Sequence, residues 1–121
     1  MMISNLFDDL PAGSDKVAAE IFDALLTQPE IRIERIISTG QASPPGFWYC
    51  QPENEWVMVL QGSAALRFAD ETEDRVLQAG DFLHIPAQCR HRVQWTDANQ
   101  ATLWLAVHYS EKSSTAMGEE R

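Results

Sequence analysis

The stretch GFWYCQPENEWVMVLQG, residues 46–62, decides the fold class of this chain. Its second half is an apolar run in which Val57 and Val59 share one face, while Trp56 and Met58 share the other. A strand with one solvated face alternates between apolar and polar residues, and this one does not. The stretch therefore predicts a β-strand that is covered on both faces and that ends in a turn at Gly62.

Similar short segments lie on both sides of this stretch and are separated by turn-forming sequence such as PEN, QGS and QAGD. Alternation with a period of two predicts β-strands. Many short strands with no second helix indicate an all-β sandwich or barrel. The predicted strands are residues 31–38, 47–51, 55–61, 64–69, 75–77, 81–85, 90–95 and 102–109.

The ends of the chain differ from this central region, residues 30–110. Residues 1–29 are predicted to form an extended arm followed by an amphipathic helix over residues 14–27, with Ser14 as its N-cap. Residues 111–121 are polar and are predicted to form a frayed tail. The apolar stripe of the predicted helix consists of Val17, Ile21, Ala24 and Leu25.

The composition excludes several classes of protein. The 121 residues suit one domain, and 18 acidic against 9 basic residues give a net charge of -9. This balance argues against binding to nucleic acid or to an anionic membrane surface. No apolar run approaches the roughly 20 residues that span a bilayer. The acidic N-terminus does not resemble a signal peptide, and two cysteines, Cys50 and Cys89, suit a reduced compartment. We therefore expect a cytoplasmic protein.

Two spaced motifs give the chain a family resemblance. Glu55 is followed after six residues by Gly62, and Gly80 is followed after five residues by Pro86 and then by His91. In this spacing the chain resembles a small single-domain cupin. The resemblance implies a jelly roll, also called a double-stranded β-helix, which the N-terminal arm and the helix predicted from periodicity would precede.

The same resemblance implies a divalent metal in the lumen of the barrel. The family's first motif carries a pair of histidines before its glutamate, but here those positions hold Trp48 and Cys50, or Tyr49 and Gln51. The implied ligand set is Cys50, Glu55 and His91, with zinc or iron as the metal that suits this mixture of donors. The alternates are His84, His108 and Gln51.

Each of these residues also has a structural interpretation. Cys50 is equally consistent with a small buried hydrophobe, and His91 with a packing residue. Glu55 is also a candidate partner for an arginine. Of the aromatic residues, Trp48, Tyr49 and Trp95 are predicted to wall a pocket for a small organic ligand. Arg67, Arg90 and Arg92 are available to hold a carboxylate.

Two functions follow from the resemblance. The first is a metal-dependent enzyme, similar to the dioxygenases or isomerases of the family, that acts on a small organic substrate. The second is a metal-free cupin that binds or senses a small molecule without catalysis. In either case the strands that are apolar on both faces need a cover for the outer face, which the N-terminal helix, an extra strand or a second subunit could supply. The prediction is a homodimer.

Overall fold

The computed structural model describes residues 1–12 and 15–111. Eight strands make up the regular structure of this part of the chain, and none of its residues is helical. Nothing in the same residues forms a helix of the length and hydropathy that crossing a membrane requires. The strands are β1 (Ile21–Gln28), β2 (Ile31–Ser38), β3 (Asn54–Gln61), β4 (Ser63–Phe68), β5 (Arg75–Gln78), β6 (Phe82–Ile85), β7 (His91–Thr96) and β8 (Thr102–Tyr109).

The strands form two antiparallel sheets that pack face to face. One sheet has the order β1-β2-β8-β3-β6 and the other has the order β5-β4-β7. The main core lies between them, where Val59 and Ala106 of the larger sheet are fully buried near Leu66 and Phe68 of the smaller one. This is the all-β jelly roll that the sequence predicts.

The inner face of β3 is buried in the core, whereas its outer face is apolar but only partly covered. Val57 and Val59 point into the core and are 3% and 0% exposed. On the outer face, Trp56 and Met58 are half-buried. They pair with Val107 and Leu105 of β8, so that the outer face of the sheet is apolar as well.

The predicted helix over residues 14–27 is wrong. Ser14, its predicted N-cap, lies outside the described residues, and β1 occupies the second half of the predicted range. A two-residue loop of Pro29 and Glu30 joins β1 to β2 in an antiparallel hairpin. A lone helix of this length is marginally stable, whereas the hairpin satisfies the backbone through β2. Pairing with β2, which is itself held in the sheet by β8, therefore prevails over the helical pattern.

The predicted strand at residues 47–51 is reduced to a single bridge between Tyr49 and His91. Their backbone groups exchange two hydrogen bonds, of 2.7 and 3.1 Å. The Pro44-Pro45 pair before this segment removes backbone donors, and Pro52 follows it, so a longer ladder does not form. The single bridge nevertheless places this segment beside His91, the first residue of β7.

The N-terminal arm docks on one end of the larger sheet's outer face. Leu6 and Leu10 pack against the buried Ile37 and Leu103. Arg35 of β2 holds the arm in place, because its guanidinium donates hydrogen bonds to the backbone carbonyls of Leu6 and Asp8. The rest of this outer face is left open by the arm.

Candidate functional site

A cavity of about 250 Å³ lies between the two sheets. Both sheets and the segment before β3 contribute to its wall, which contains both polar and apolar side chains. Its lining residues are Glu20, Phe22, Arg32, Glu34, Ile36, Tyr49, Gln51, Glu55, Val57, Leu66, Ile85, His91, Val93, Trp104 and His108.

Strand register brings a row of ionisable residues into this cavity. Arg32 of β2 pairs with His108 of β8, and His108 pairs with Glu55 of β3. Directly paired residues in an antiparallel sheet have their Cβ atoms about 5 Å apart on the same face. The opposite sheet supplies His91, whose Nε2 atom lies 3.9 Å from Oε1 of Glu55. A carboxyl group and an imidazole thus face each other across the cavity.

Both of these groups are buried, and burial favours their uncharged forms. Glu55 is 8% exposed, and burial, reinforced by the negative charge of Glu34, raises its pKa to about 7. Burial also lowers the pKa of His91, which is 5% exposed. Its Nδ1 lies 2.9 Å from the carbonyl oxygen of Cys89, which can only accept a hydrogen bond. The proton of neutral His91 therefore sits on Nδ1, and Nε2 offers a lone pair towards Glu55.

The raised pKa of Glu55 makes a prediction about stability. The folded state holds this proton more tightly than the unfolded chain does. The contribution of the protonated Glu55 to the free energy of unfolding is therefore complete below about pH 4.5, and it is lost as the pH rises towards 7. Glu55→Gln removes this dependence, so the variant should gain about 2 to 3 kcal/mol relative to wild type between pH 5 and pH 8. Urea unfolding at both pH values measures the difference.

The exposed Glu73 provides a matched control for this measurement. Glu73→Gln makes the same chemical change at the surface and should leave the difference from wild type constant with pH. A constant difference for Glu55→Gln as well would contradict the raised pKa.

A second cluster surrounds His108, which is 4% exposed. Its Nε2 lies 3.3 Å from Oε1 of Glu34, while its Nδ1 has no hydrogen-bond partner and lies 3.9 Å from Oε1 of Glu53. Arg32 joins both carboxylates, at 3.2 Å to Glu34 and 3.1 Å to Glu53. Burial lowers the pKa of His108, and the charge of Arg32 lowers it further. This histidine is therefore neutral near pH 7.

The far wall of the cavity is fixed by a chain of hydrogen bonds. The indole N–H of Trp104 donates to the hydroxyl of Ser38 at 3.0 Å, and that hydroxyl donates to a carboxylate oxygen of Glu20 at 2.5 Å. Ser38 is completely buried, so its hydroxyl needs both partners. The chain places the aromatic face of Trp104 and the carboxylate of Glu20 on the same cavity.

The structure brings together some of the residues that the sequence singled out. Glu55, His91, His108 and Gln51 line the cavity, and Cys50 and His84 do not. Cys50 is exposed, with its Sγ 3.5 Å from the side-chain oxygen of Gln88, so the interpretation of Cys50 as a buried hydrophobe is wrong. His84 is also exposed, and its Nε2 lies 2.9 Å from the hydroxyl of Tyr109.

This geometry does not provide a complete set of metal ligands. A divalent metal in such a lumen needs about three or four protein donors. Glu55 and His91 supply two facing donors, but Cys50 is turned towards Gln88, and His108 contacts Glu34. In the described part of the chain, no group of three or more histidine, cysteine, aspartate or glutamate side chains is arranged to hold a metal. The family's metal therefore does not fit these residues as they stand.

The predicted pocket aromatics separate into two groups. Tyr49 lines the cavity and stacks on His91 with ring centroids 5.4 Å apart. Trp48 lies beside the guanidinium groups of Arg90 and Arg92 instead, and Trp95 is 40% exposed. Neither tryptophan lines the cavity.

None of the three arginines proposed as carboxylate binders lines the cavity either. Arg67 pairs with Asp74 at 2.8 Å. Arg92 donates to the backbone carbonyls of Ser43 and Pro44 and so fastens the loop before residue 46. Glu55 makes no ion pair with any of these arginines among the described residues, so its interpretation as an arginine partner is not supported.

Sequence reasoning missed Arg32, Glu34, Glu20 and Trp104 as lining residues. The signal for two of them is present in β2, where Arg32 and Glu34 alternate with isoleucines. The usual rule places the isoleucines towards the core, but here the polar phase faces inward. The isoleucine phase faces outward, where Ile37 meets the arm and Ile33 pairs with Val107.

The chain belongs to the cupin family. The profile of that family, described as a cupin domain, matches residues 35–108, which is more than half of the chain. The matched region includes β3, β7 and β8, which supply Glu55, His91 and His108. A comparison with curated proteins finds no match.

Solved structures include a relative with high sequence similarity. A protein from Ralstonia eutropha JMP134, named as a putative mannose-6-phosphate isomerase, is 53% identical, with a TM-score of 0.86 over 92% of this chain and 100% of its own. A cupin superfamily protein from Desulfitobacterium hafniense DCB-2 is 16% identical, with a TM-score of 0.66 over 80% of this chain and 83% of its own. An RmlC-like cupin with a double-stranded β-helix from Methanocaldococcus jannaschii is 15% identical, with a TM-score of 0.63 over 82% and 89%. The last two show the fold alone.

Proposed function

We propose that this cupin is an isomerase that moves protons on a small carbonyl compound in its lumen, with Glu55 and His91 as the reacting groups. The observation that carries the proposal is the approach of these two side chains, 3.9 Å apart in the cavity between the two sheets. The resemblance to the Ralstonia eutropha protein, itself named as a putative isomerase, supports the same class of reaction. The fold by itself does not decide between activities.

The two groups have complementary proton states near neutral pH. A carboxyl group with a pKa of about 7 is present in both its acid and its base form, which suits a group that must take up and return a proton. Neutral His91 offers the lone pair of Nε2 on the same side of the cavity. Tyr49 stacks on its ring and restricts its orientation.

With these proton states, Glu55 and His91 could convert an α-hydroxy aldehyde into the isomeric ketone by proton transfer alone. The Glu55 carboxylate takes the proton from the carbon next to the aldehyde, and a carbon–carbon double bond forms as the carbonyl electrons move to oxygen. His91 Nε2 takes the proton of the neighbouring hydroxyl and passes it to the former carbonyl oxygen. Glu55 then returns its proton to the former aldehyde carbon, which leaves the ketone on the adjacent carbon.

Mannose in deuterium oxide tests this reaction directly, because an exchangeable proton on Glu55 carries solvent deuterium into the product. We expect fructose with deuterium at its first carbon, at a rate that a chelator does not change. Mannose that binds without conversion or exchange favours the second function, a metal-free binding or sensing cupin. A rate that a chelator abolishes would indicate metal-dependent catalysis and contradict the proposed mechanism.

A homodimer remains part of the proposal, because an apolar surface stays open on the outer face of the larger sheet. Beyond the docked arm, Val107 pairs with Ile33 on one side and with Trp56 on the other, and Leu105 pairs with Met58. These side chains are only half-buried, and at the sheet edges Phe82 and Leu26 are 62% and 42% exposed. A second copy of the chain that covers this face would remove the apolar surface from water.

Val107→Asp is therefore expected to convert a dimer into a monomer. A charge at the centre of an apolar interface has no partner and is costly to bury. Light scattering after gel filtration at micromolar concentration measures the mass of each form. Val76→Asp is the matched control, since Val76 is 51% exposed on β5 of the other sheet and should leave the mass unchanged. A monomeric wild-type protein would contradict the dimer.

A further inference from the structure

The charges around the cavity restrict the class of its ligand. Three of the lining residues, Glu20, Glu34 and Glu55, carry carboxyl groups, and Arg32 is the only lysine or arginine among the lining residues. The two lining histidines are buried and lose rather than gain positive charge in that setting. A ligand that enters therefore meets an excess of negative charge.

The one cation is already engaged. The Nε atom of Arg32 lies 3.2 Å from Glu34, and its two terminal nitrogens lie 3.1 and 3.4 Å from the two carboxylate oxygens of Glu53. The second of these contacts is bidentate, which is the strong geometry for a guanidinium and a carboxylate. A phosphate group would have to displace a carboxylate from Arg32 and then stand beside the carboxylate it displaced.

In the described part of the chain, no second lysine or arginine lines the cavity. Arg92 donates hydrogen bonds to backbone carbonyls and to the side chain of Gln94. Arg90 lies over the ring of Trp48, and neither arginine lines the cavity. Lys16 donates to the carbonyl of Ala98, in the loop that precedes β8. These three cations are engaged elsewhere, so the cavity lining of residues 1–12 and 15–111 offers no unengaged cation to a phosphate dianion.

The cavity is instead rich in hydrogen-bond acceptors. The carboxylates, the side-chain oxygen of Gln51 and the free Nε2 of His91 all accept hydrogen bonds, whereas hydroxyl groups donate them. Between these polar groups, Trp104, Ile36 and Val93 provide an apolar wall. A ring or chain with several hydroxyl groups has both the donors for the acceptors and the C–H surface for the wall.

We propose that the lumen binds an uncharged polyhydroxy compound and excludes its phosphorylated form. This inference rests on the proposed function, because it names the substrate class of the same site. The proposed substrate class differs from the phosphorylated sugar in the name of the Ralstonia eutropha relative, a putative mannose-6-phosphate isomerase. Like charges brought together at a binding site repel each other, so the phosphorylated form should bind more weakly than the uncharged one.

Mannose and mannose 6-phosphate form a matched pair of probes that differ in one phosphate group. The indole N–H signal of Trp104 reports on the cavity in proton–nitrogen NMR spectra, and titration at low salt and pH 8 gives both dissociation constants. We expect mannose 6-phosphate to bind at least about tenfold more weakly than mannose, which corresponds to about 1.4 kcal/mol. Added salt should reduce the difference between the two dissociation constants, because it screens the repulsion between the phosphate and the carboxylates.

A double variant, Glu20→Gln with Glu34→Gln, tests the cause of the discrimination. Removal of two negative charges, one of which occupies Arg32, should strengthen binding of mannose 6-phosphate relative to mannose. Glu73→Gln, at an exposed position outside the cavity, should leave the ratio as in wild type. Equal or tighter binding of the phosphorylated sugar by the wild-type protein overturns the inference, and so does a wild-type protein that binds neither sugar.

The outcomes also distinguish this inference from the proposed function. Mannose that binds well but is neither converted nor exchanged with solvent contradicts the catalytic roles of Glu55 and His91 and leaves the substrate class intact. Conversion of mannose 6-phosphate in preference to mannose supports those roles and contradicts the exclusion of phosphate.

Discussion

Glu55→Gln is expected to lower the rate of mannose isomerisation by about 100- to 10,000-fold, the usual range for loss of a general acid–base group. Glutamine has nearly the same shape as a protonated glutamate, but its amide cannot take a proton from carbon. Because Glu55 is buried with a pKa of about 7, the neutral amide also suits the folded state. The variant should therefore lose turnover while it keeps its fold and its affinity for mannose.

To distinguish a catalytic role of Glu55 from a structural one, the change in kcat is compared with the change in KM. A loss confined to kcat, with mannose still bound and no deuterium incorporated, supports a proton-transfer role for Glu55. Glu73→Gln is the matched control and should retain wild-type turnover, since this residue is exposed and lies outside the cavity lining. If Glu55→Gln exchanged the sugar proton at the wild-type rate, another group would have to be the base.

Gly62→Ala is expected to reduce the free energy of unfolding by about 3 kcal/mol, through backbone strain and steric overlap together. Gly62 lies in the turn between β3 and β4 with a φ of +81°, which costs an L-residue about 1 to 2 kcal/mol. An added Cβ would also lie 2.7 Å from Oγ1 of Thr102 and 2.9 Å from the carbonyl oxygen of Ala101. Thr102 is fully buried and its hydroxyl donates a hydrogen bond to the carbonyl of Ser63. It cannot move aside without loss of this hydrogen bond and of close packing.

Gly46 provides the control that isolates the steric part of this effect. Its φ of +79° is almost the same, but nothing lies within 4 Å of an added Cβ. Gly46→Ala should therefore cost only the backbone strain, about 1 kcal/mol. Thermal or urea unfolding measures both variants. Equal losses at the two glycines would show that Thr102 and Ala101 relax without cost.

Much of the fold could be predicted from periodicity alone. Apolar runs bounded by turn sequence in residues 55–61 and 102–109 predict β3 and β8 within one residue, and the inward-facing Val57, Val59 and Ala106 are buried. Spacing between glycine, proline and histidine then indicated the cupin family, which the family match confirms. These features are local, so they are written in consecutive residues.

The errors arose where a local pattern competed with a distant partner. The stripe of Val17, Ile21, Ala24 and Leu25 has helical spacing, yet Ile21 pairs with Ile37 in a hairpin instead. Arg32 and Glu34 were overlooked because the isoleucines between them resemble a core-facing strand. Which phase of β2 faces inward depends on what covers its other face, here in part the N-terminal arm, and no short window of sequence contains that information.

The sequence by itself determined that this chain forms a small all-β cupin and that Glu55 and His91 occupy its two motifs, because strand period and motif spacing are local properties. Only the tertiary structure decided what those residues meet. It turned Cys50 towards Gln88, placed His91 opposite Glu55 and occupied Arg32 with two carboxylates. The chemistry of the cavity depends on such contacts between distant strands, since burial and neighbouring charge set the proton state of each group.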